Sequence, residues 1–170
     1  MPSSISDSEL ASLSHFAGRH LAVTSRIVLD HGFLRPFGLT LKLSLWSGAT
    51  EEFVELRTDD PKLIPDMAQT WFMTDHKKAK FVSVAIDSFS MIDGVRTAAV
   101  IISARPKDFS TRILVFLPYI PKTENSPTIL QAPQVDFPAE SVSLMPKKDL
   151  VLANLLRGRD SHPSSKRGVQ

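Results

Sequence analysis

Histidines are the side chains in this sequence best suited to hold a metal or move a proton near neutral pH. His15 and His20 stand five apart on what reads as one helix, whereas a shared metal calls for i and i+4. His31 follows Asp30 and His76 follows Asp75, each at the expected end of a helix, where a cation gains from the dipole without doing chemistry. Three ligands do not assemble from local spacing, so no metal site is expected. The chain has no cysteine, which removes thiolate zinc, iron–sulfur clusters and disulfides.

Nucleophilic chemistry has no better footing. No serine sits in a Gly-x-Ser-x-Gly elbow, and the seven glycines are scattered singly, with no phosphate-cradling loop or dinucleotide fingerprint among them. A hydrolytic carboxylate pair would have to converge from distant positions. Asp87 is the one acid well inside an otherwise apolar strand, and the expectation for it is an outward or edge position in water. No catalytic residue and no cofactor are assigned, and a non-enzymatic role is expected.

The most distinctive surface candidate is acidic. Residues 51–66 carry Glu51, Glu52, Glu55, Asp59, Asp60 and Asp66 against Arg57 and Lys62, a local net of −4. Trp46 and Phe53 are expected on the same hairpin, on the face opposite a stripe of leucines. Rings among carboxylates suit a basic protein partner, with charge steering the encounter and the aromatics anchoring it. The candidate interface is therefore Trp46, Glu51, Glu52, Phe53 and Glu55. The same residues also have a purely structural account: caps, a charged sheet edge that resists aggregation, and rings tucked under a helix. A second candidate is a pocket between sheet and helix near Phe37, Trp71 and Phe89, which would make the protein a small-molecule sensor or carrier.

These residues need elements to position them. Leu10, Leu13, Ala17, Leu21, Thr24 and Val28 recur at helical spacing, so a helix is expected over about 8–30, with Ser6 as N-cap, Glu9 three residues on and Gly32 just past the end. Leu39, Leu41, Leu43 and Leu45 alternate with polar residues as in a half-buried strand, and residues 51–57 return antiparallel after a turn at 47–50, with Val54 and Leu56 toward the core. Asp60-Pro61 opens a second helix, although Pro65 fits only a first turn. Its buried stripe is Ile64, Met67, Ala68, Trp71 and Phe72. Three strands are expected over about 80–91, 95–105 and 111–119, the first two joined by Asp93-Gly94, a strong hairpin signal. The runs 98–102 and 113–117 are apolar at every position, as in central strands covered on both faces.

Seven of the twelve prolines lie from Pro118 onward, which predicts an extended segment over 119–147 crossing the surface, then a short helix at 148–156. The domain expectation is one α+β unit over 1–157, with a disordered basic tail at 158–170.

The resulting fold class is α+β: a five-stranded antiparallel sheet flanked by helices, in the order α-β-β-α-β-β-β-α. That order is similar to profilin-like or roadblock-like domains, whose strands lie 2-1-5-4-3. A helix ending in His31-Gly32, followed by Arg35-Pro36-Phe37-Gly38 leading into a strand, also resembles uncharacterised small bacterial α+β proteins with a Pro-Phe-Gly loop. Neither resemblance implies an activity.

Composition bounds the partners. Residues 157–170 carry a net of +3 out of a total of +2, leaving −1 for the rest, so the basicity that suggests nucleic acid sits in the tail. No specific nucleic acid and no membrane partner are expected, and the apolar runs fall well short of the ~20 residues a spanning helix needs. The polar, acid-bearing start lacks the pattern of a signal peptide, giving a cytoplasmic expectation. Together these readings point to a protein-binding domain of bacterial immunity or adaptor type, with a basic protein or a second copy as partner.

Overall fold

A computed structural model of the chain describes residues 5–137, and the helix, tail and later part of the extended segment expected beyond Phe137 lie outside the described residues. The first helix, α1, spans Asp7–His31. Ser6 Oγ accepts a hydrogen bond from the Glu9 amide, and Gly32 closes the far end at φ 78°, its N–H bonded to the Val28 carbonyl. Both caps stand where the sequence places them.

Strands β1 (Phe37–Ser44) and β2 (Gly48–Glu55) form a hairpin turning through residues 45–47. The turn comes earlier than expected because Gly48, at φ 71°, already begins the return strand. Asp60 Oδ1 then caps a 3-10 turn over Pro61–Leu63 by accepting from the Lys62 amide at 2.9 Å. Helix α2 follows at Ile64–Met73, with Pro65 in its first turn. Strands β3 (Ala79–Ile92) and β4 (Val95–Pro106) meet at Asp93-Gly94, where both residues take positive φ, 50° and 78°. Strand β5 (Ile113–Ile120) completes the meander.

Two short strands follow, β6 (Ile129–Leu130) and β7 (Gln134–Asp136), both antiparallel to β5. The antiparallel sheet therefore runs β2-β1-β3-β4-β5-β6, with β7 also on β5. This corrects the five-stranded expectation and the 2-1-5-4-3 order. Strand β1 pairs with β3, not with β5, so α2 crosses β1 to connect two strands that flank it. The added strands escape the sequence pattern because two or three residues between prolines carry no periodicity.

Each face has its own helix. Toward α1 the sheet presents Leu39, Phe81, Ala85, Val100, Ile102, Val115 and Leu117, packed on Leu13, Phe16, Ala17 and Val28. Toward α2 it presents Val82, Val84, Ile86 and Ile101, packed on Ala68 and Phe72. The unbroken apolar runs of β4 and β5 thus serve two cores, as their composition requires. No helix among the described residues is long and apolar enough to cross a membrane.

Candidate functional site

The hairpin is the least covered part of the sheet. At its tip Trp46 is 98% exposed and Leu45 is fully exposed, with Leu43 half exposed at the end of β1. The tip is held by Ser44 Oγ, which accepts from the amides of Trp46 and Ser47. Strand β2 ends the sheet, so its outer edge has no neighbouring strand among the described residues.

The acids expected to give this hairpin its charge are engaged. Glu51 is held by Arg19 at 2.9 Å, Glu52 by Lys42 at 2.5 Å, and Glu55 by Arg57 at 2.7 Å and Arg35 at 3.4 Å. Arg57 foremost, with Arg35 behind it, holds the Glu55 carboxyl below its ordinary value. The surface is a mosaic of ion pairs, of which those of Glu52 and Glu55 are open to water and of little energetic weight, while Glu51 is largely covered. Its apolar anchors stand out more than its charge.

Phe53 needs a correction. It lies directly across from Leu39 in the hairpin register, and cross-strand partners share a face, so it is on the leucine side and toward α1. Its ring meets Phe37 at a centroid distance of 5.9 Å. Val54 takes the other face and is exposed. The sheet's two-sided coverage defeats an assignment that assumes one buried face.

The pocket proposed from Phe37, Trp71 and Phe89 does not assemble. Phe37 is buried on the α1 side, while Trp71 packs among the residues of the α2 core, its indole against Gly38. Phe89 lies further along β3, with the Arg96 guanidinium 4.3 Å above its ring. Phe89 instead lines a separate cleft of about 260 Å³ with Ile64 and Pro65 at the start of α2, which neither Phe37 nor Trp71 enters.

Phe37 instead joins Phe53 in a different cleft, of about 470 Å³, between the last turn of α1, the loop at 33–36 and the base of the hairpin. Phe33 and Ile27 extend its apolar wall, with Arg35, Glu55 and His31 as polar lining. A second cleft of about 460 Å³ lies further along α1, where Arg19 and Glu51 face Leu41 and Leu43.

Asp87 also departs from expectation. It is half-buried on an inner strand, and its carboxylate accepts from Tyr119 Oη at 2.8 and 2.9 Å and from the Leu34 amide at 3.1 Å. It thereby ties the 33–36 loop to β5. Burial, reinforced by the Asp87 charge, pushes the Tyr119 phenol far above its ordinary value.

The histidines separate. His20 is fully buried, shares a hydrogen bond with Ser83 Oγ through Nδ1, and packs on Phe37 at 4.7 Å. Burial alone lowers its pKa to about 3, so the ring is neutral. His76 is bonded through Nε2 to the Trp71 carbonyl at 2.8 Å. Among the described residues no group of three His, Asp or Glu side chains is arranged to hold a metal. The His20–Ser83 pair resembles the start of a nucleophilic dyad, but both side chains are sealed from solvent and no substrate atom can reach them.

Sequence reasoning missed the buried Arg105, whose guanidinium closes the C-terminal end of α2 by donating to the Phe72 and Thr74 carbonyls. No protein-family model matches this chain, and neither the curated proteins nor the solved structures contain a significant match to it.

Proposed function

We propose that this chain is a protein-binding domain that docks its partner through the β1–β2 hairpin, with an extended partner segment lying along the outer edge of β2. The observation that carries this reading is the paired exposure of Leu45 and Trp46 at the tip of a hairpin whose outer edge has no neighbouring strand among the described residues. Large exposed rings are the usual anchors of protein interfaces, and an open strand edge supplies main-chain donors and acceptors for an added strand.

The acids favour a basic partner over a second copy. Two β2 strands pairing antiparallel about a two-fold axis would bring Glu51, Glu52 or Glu55 close to acids of the other copy, which opposes pairing. A segment carrying Lys or Arg would instead enter the ion-pair mosaic. The test is recovery of the tagged protein from its native host, followed by native mass spectrometry of the intact complex. A stoichiometric partner is expected, lost in L45S/W46S and weakened in E51K/E52K/E55K. Retention of the same partner by both variants removes the hairpin as the docking surface.

A further inference from the structure

The cleft at the base of the hairpin carries a second site, which shares Glu55 with the proposed docking edge but not the exposed tip. Phe33 and Phe53 are 50% and 54% exposed, and both turn into a concavity that Phe37 helps to floor. A concave, mainly apolar surface of about 470 Å³ with three polar side chains, His31, Arg35 and Glu55, has the size and texture of a small-molecule site.

The polar groups at its mouth say what kind of molecule. Glu55 is the one carboxylate of the lining, and Arg57 takes its Oε2 with two bonds, from Nε at 2.9 Å and Nη2 at 2.7 Å. Arg35 reaches the other oxygen only through Nη1 at 3.4 Å, and its side chain is 73% exposed. Arg57, which stands outside the lining, thus takes most of that carboxylate and leaves the Arg35 guanidinium of the lining loosely paired beside the aromatic wall. A cationic ligand would meet the Arg35 guanidinium with the lining's one acid already engaged. A neutral ligand would leave the guanidinium donors unused.

We propose that this cleft binds an amphipathic organic acid, its apolar body between Phe33 and Phe53 and its carboxylate on the Arg35 guanidinium. Arg presents a planar fork of donors that matches a carboxylate with two parallel bonds, which the single 3.4 Å contact to Glu55 does not use. The site is separate from the hairpin tip, so it stands whether or not the tip docks a protein.

Isothermal titration of the full chain with 2-naphthoate and with decanoate tests it, using 2-naphthalenemethanol as the uncharged control. One-to-one saturable binding of at least one acid is expected, about tenfold or more tighter than the alcohol. Preference for naphthoate assigns an aromatic body and preference for decanoate an alkyl chain. R35A and F33A, both changed at exposed positions, are each expected to weaken that acid about tenfold while the melting temperature of the free protein stays put. F53A provides the same reading from the opposite wall. Absence of saturation with both acids, equal binding of the alcohol, or full affinity in folded R35A overturns the proposal.

Discussion

The indole of Trp71 lies so close over Gly38 that a Cβ added there would stand 2.3 Å from its Cη2 atom. A glycine is required at this position by the approach of α2 to β1, and not by its backbone angle. Gly38→Ala therefore forces either the strand or the helix to move, at a cost of about 1–3 kcal/mol from overpacking. Trp71→Leu opens the space, so the double variant should lose less stability than the two single losses combined. Urea denaturation of the four proteins measures the coupling, and strictly additive losses would show that the contact is loose.

Arg105 is the largest fully buried side chain of the described residues. It donates to the carbonyls of Phe72, Thr74 and Pro106 and lies 3.6 Å above the Phe109 ring. Burial lowers its pKa to about 10, opposed by Asp75, so it is a cation at neutral pH. Arg105→Met keeps much of the stem but leaves the end of α2 without its donors. A loss of about 3 kcal/mol is expected in denaturant unfolding. Arg105→Lys should recover only part of it, because an ammonium cannot span carbonyls that a planar fork serves together.

His20 makes the fold sensitive to acid. Its ordinary pKa of 6.5 drops to about 3 in the folded chain, so below 6.5 the unfolded chain takes up a proton that the folded chain refuses. The stability this group contributes is complete above 6.5 and declines as pH falls toward 3, by about 1.4 kcal/mol per pH unit at the steepest. Unfolding free energies measured from pH 7.5 to 4.5 should slope accordingly. His20→Leu lowers the whole curve by stranding Ser83 Oγ but flattens it, and an unchanged slope in that variant would assign the acid sensitivity to carboxylates.

Local chemistry was legible and sidedness was not. Ser6, Gly32, Asp60 and Asp93-Gly94 act within a few residues of themselves, so their caps and turn follow from the sequence alone. The face taken by Phe53 depends on which strands flank β1 and on a helix covering each side, which alternation in one strand does not encode. Asp87 departs from its expected outward position for the same reason. Its partners Leu34 and Tyr119 are 53 and 32 residues away, and only the assembled sheet brings them together. Arg105 reads as an ordinary strand-end cation until α2 is placed against it. The clefts were illegible because no single segment holds one.

Leu45 and Trp46 extend beyond the packed sheet, so the fold should not depend on them. L45S/W46S is expected to unfold within about 0.5 kcal/mol of the parent, as substitutions at exposed positions usually do. Chemical denaturation followed by far-UV circular dichroism measures this. A loss of several kcal/mol would mean that the tip supports the hairpin's own packing, and loss of a partner could then no longer be read as loss of contact.

Tyr119 is the only tyrosine in the chain, so its ionisation can be followed directly by ultraviolet absorbance at alkaline pH. The phenol is buried and gives its hydrogen to Asp87, and a phenolate there would face a carboxylate across a hydrogen-bond distance. Both effects raise its pKa, burial more than charge. The unfolded chain loses this proton near the ordinary value of about 10 while the folded chain keeps it. The contribution to stability is therefore complete below about 10 and declines as pH rises further. No phenolate signal should appear until the protein unfolds, and its onset should coincide with loss of circular dichroism. In Asp87→Asn the neighbouring charge is gone, so the barrier to ionisation is lowered while burial still opposes it. A phenolate appearing near its ordinary pH in the folded parent would mean that Tyr119 is open to solvent and that the link from β5 to the Leu34 loop is not made.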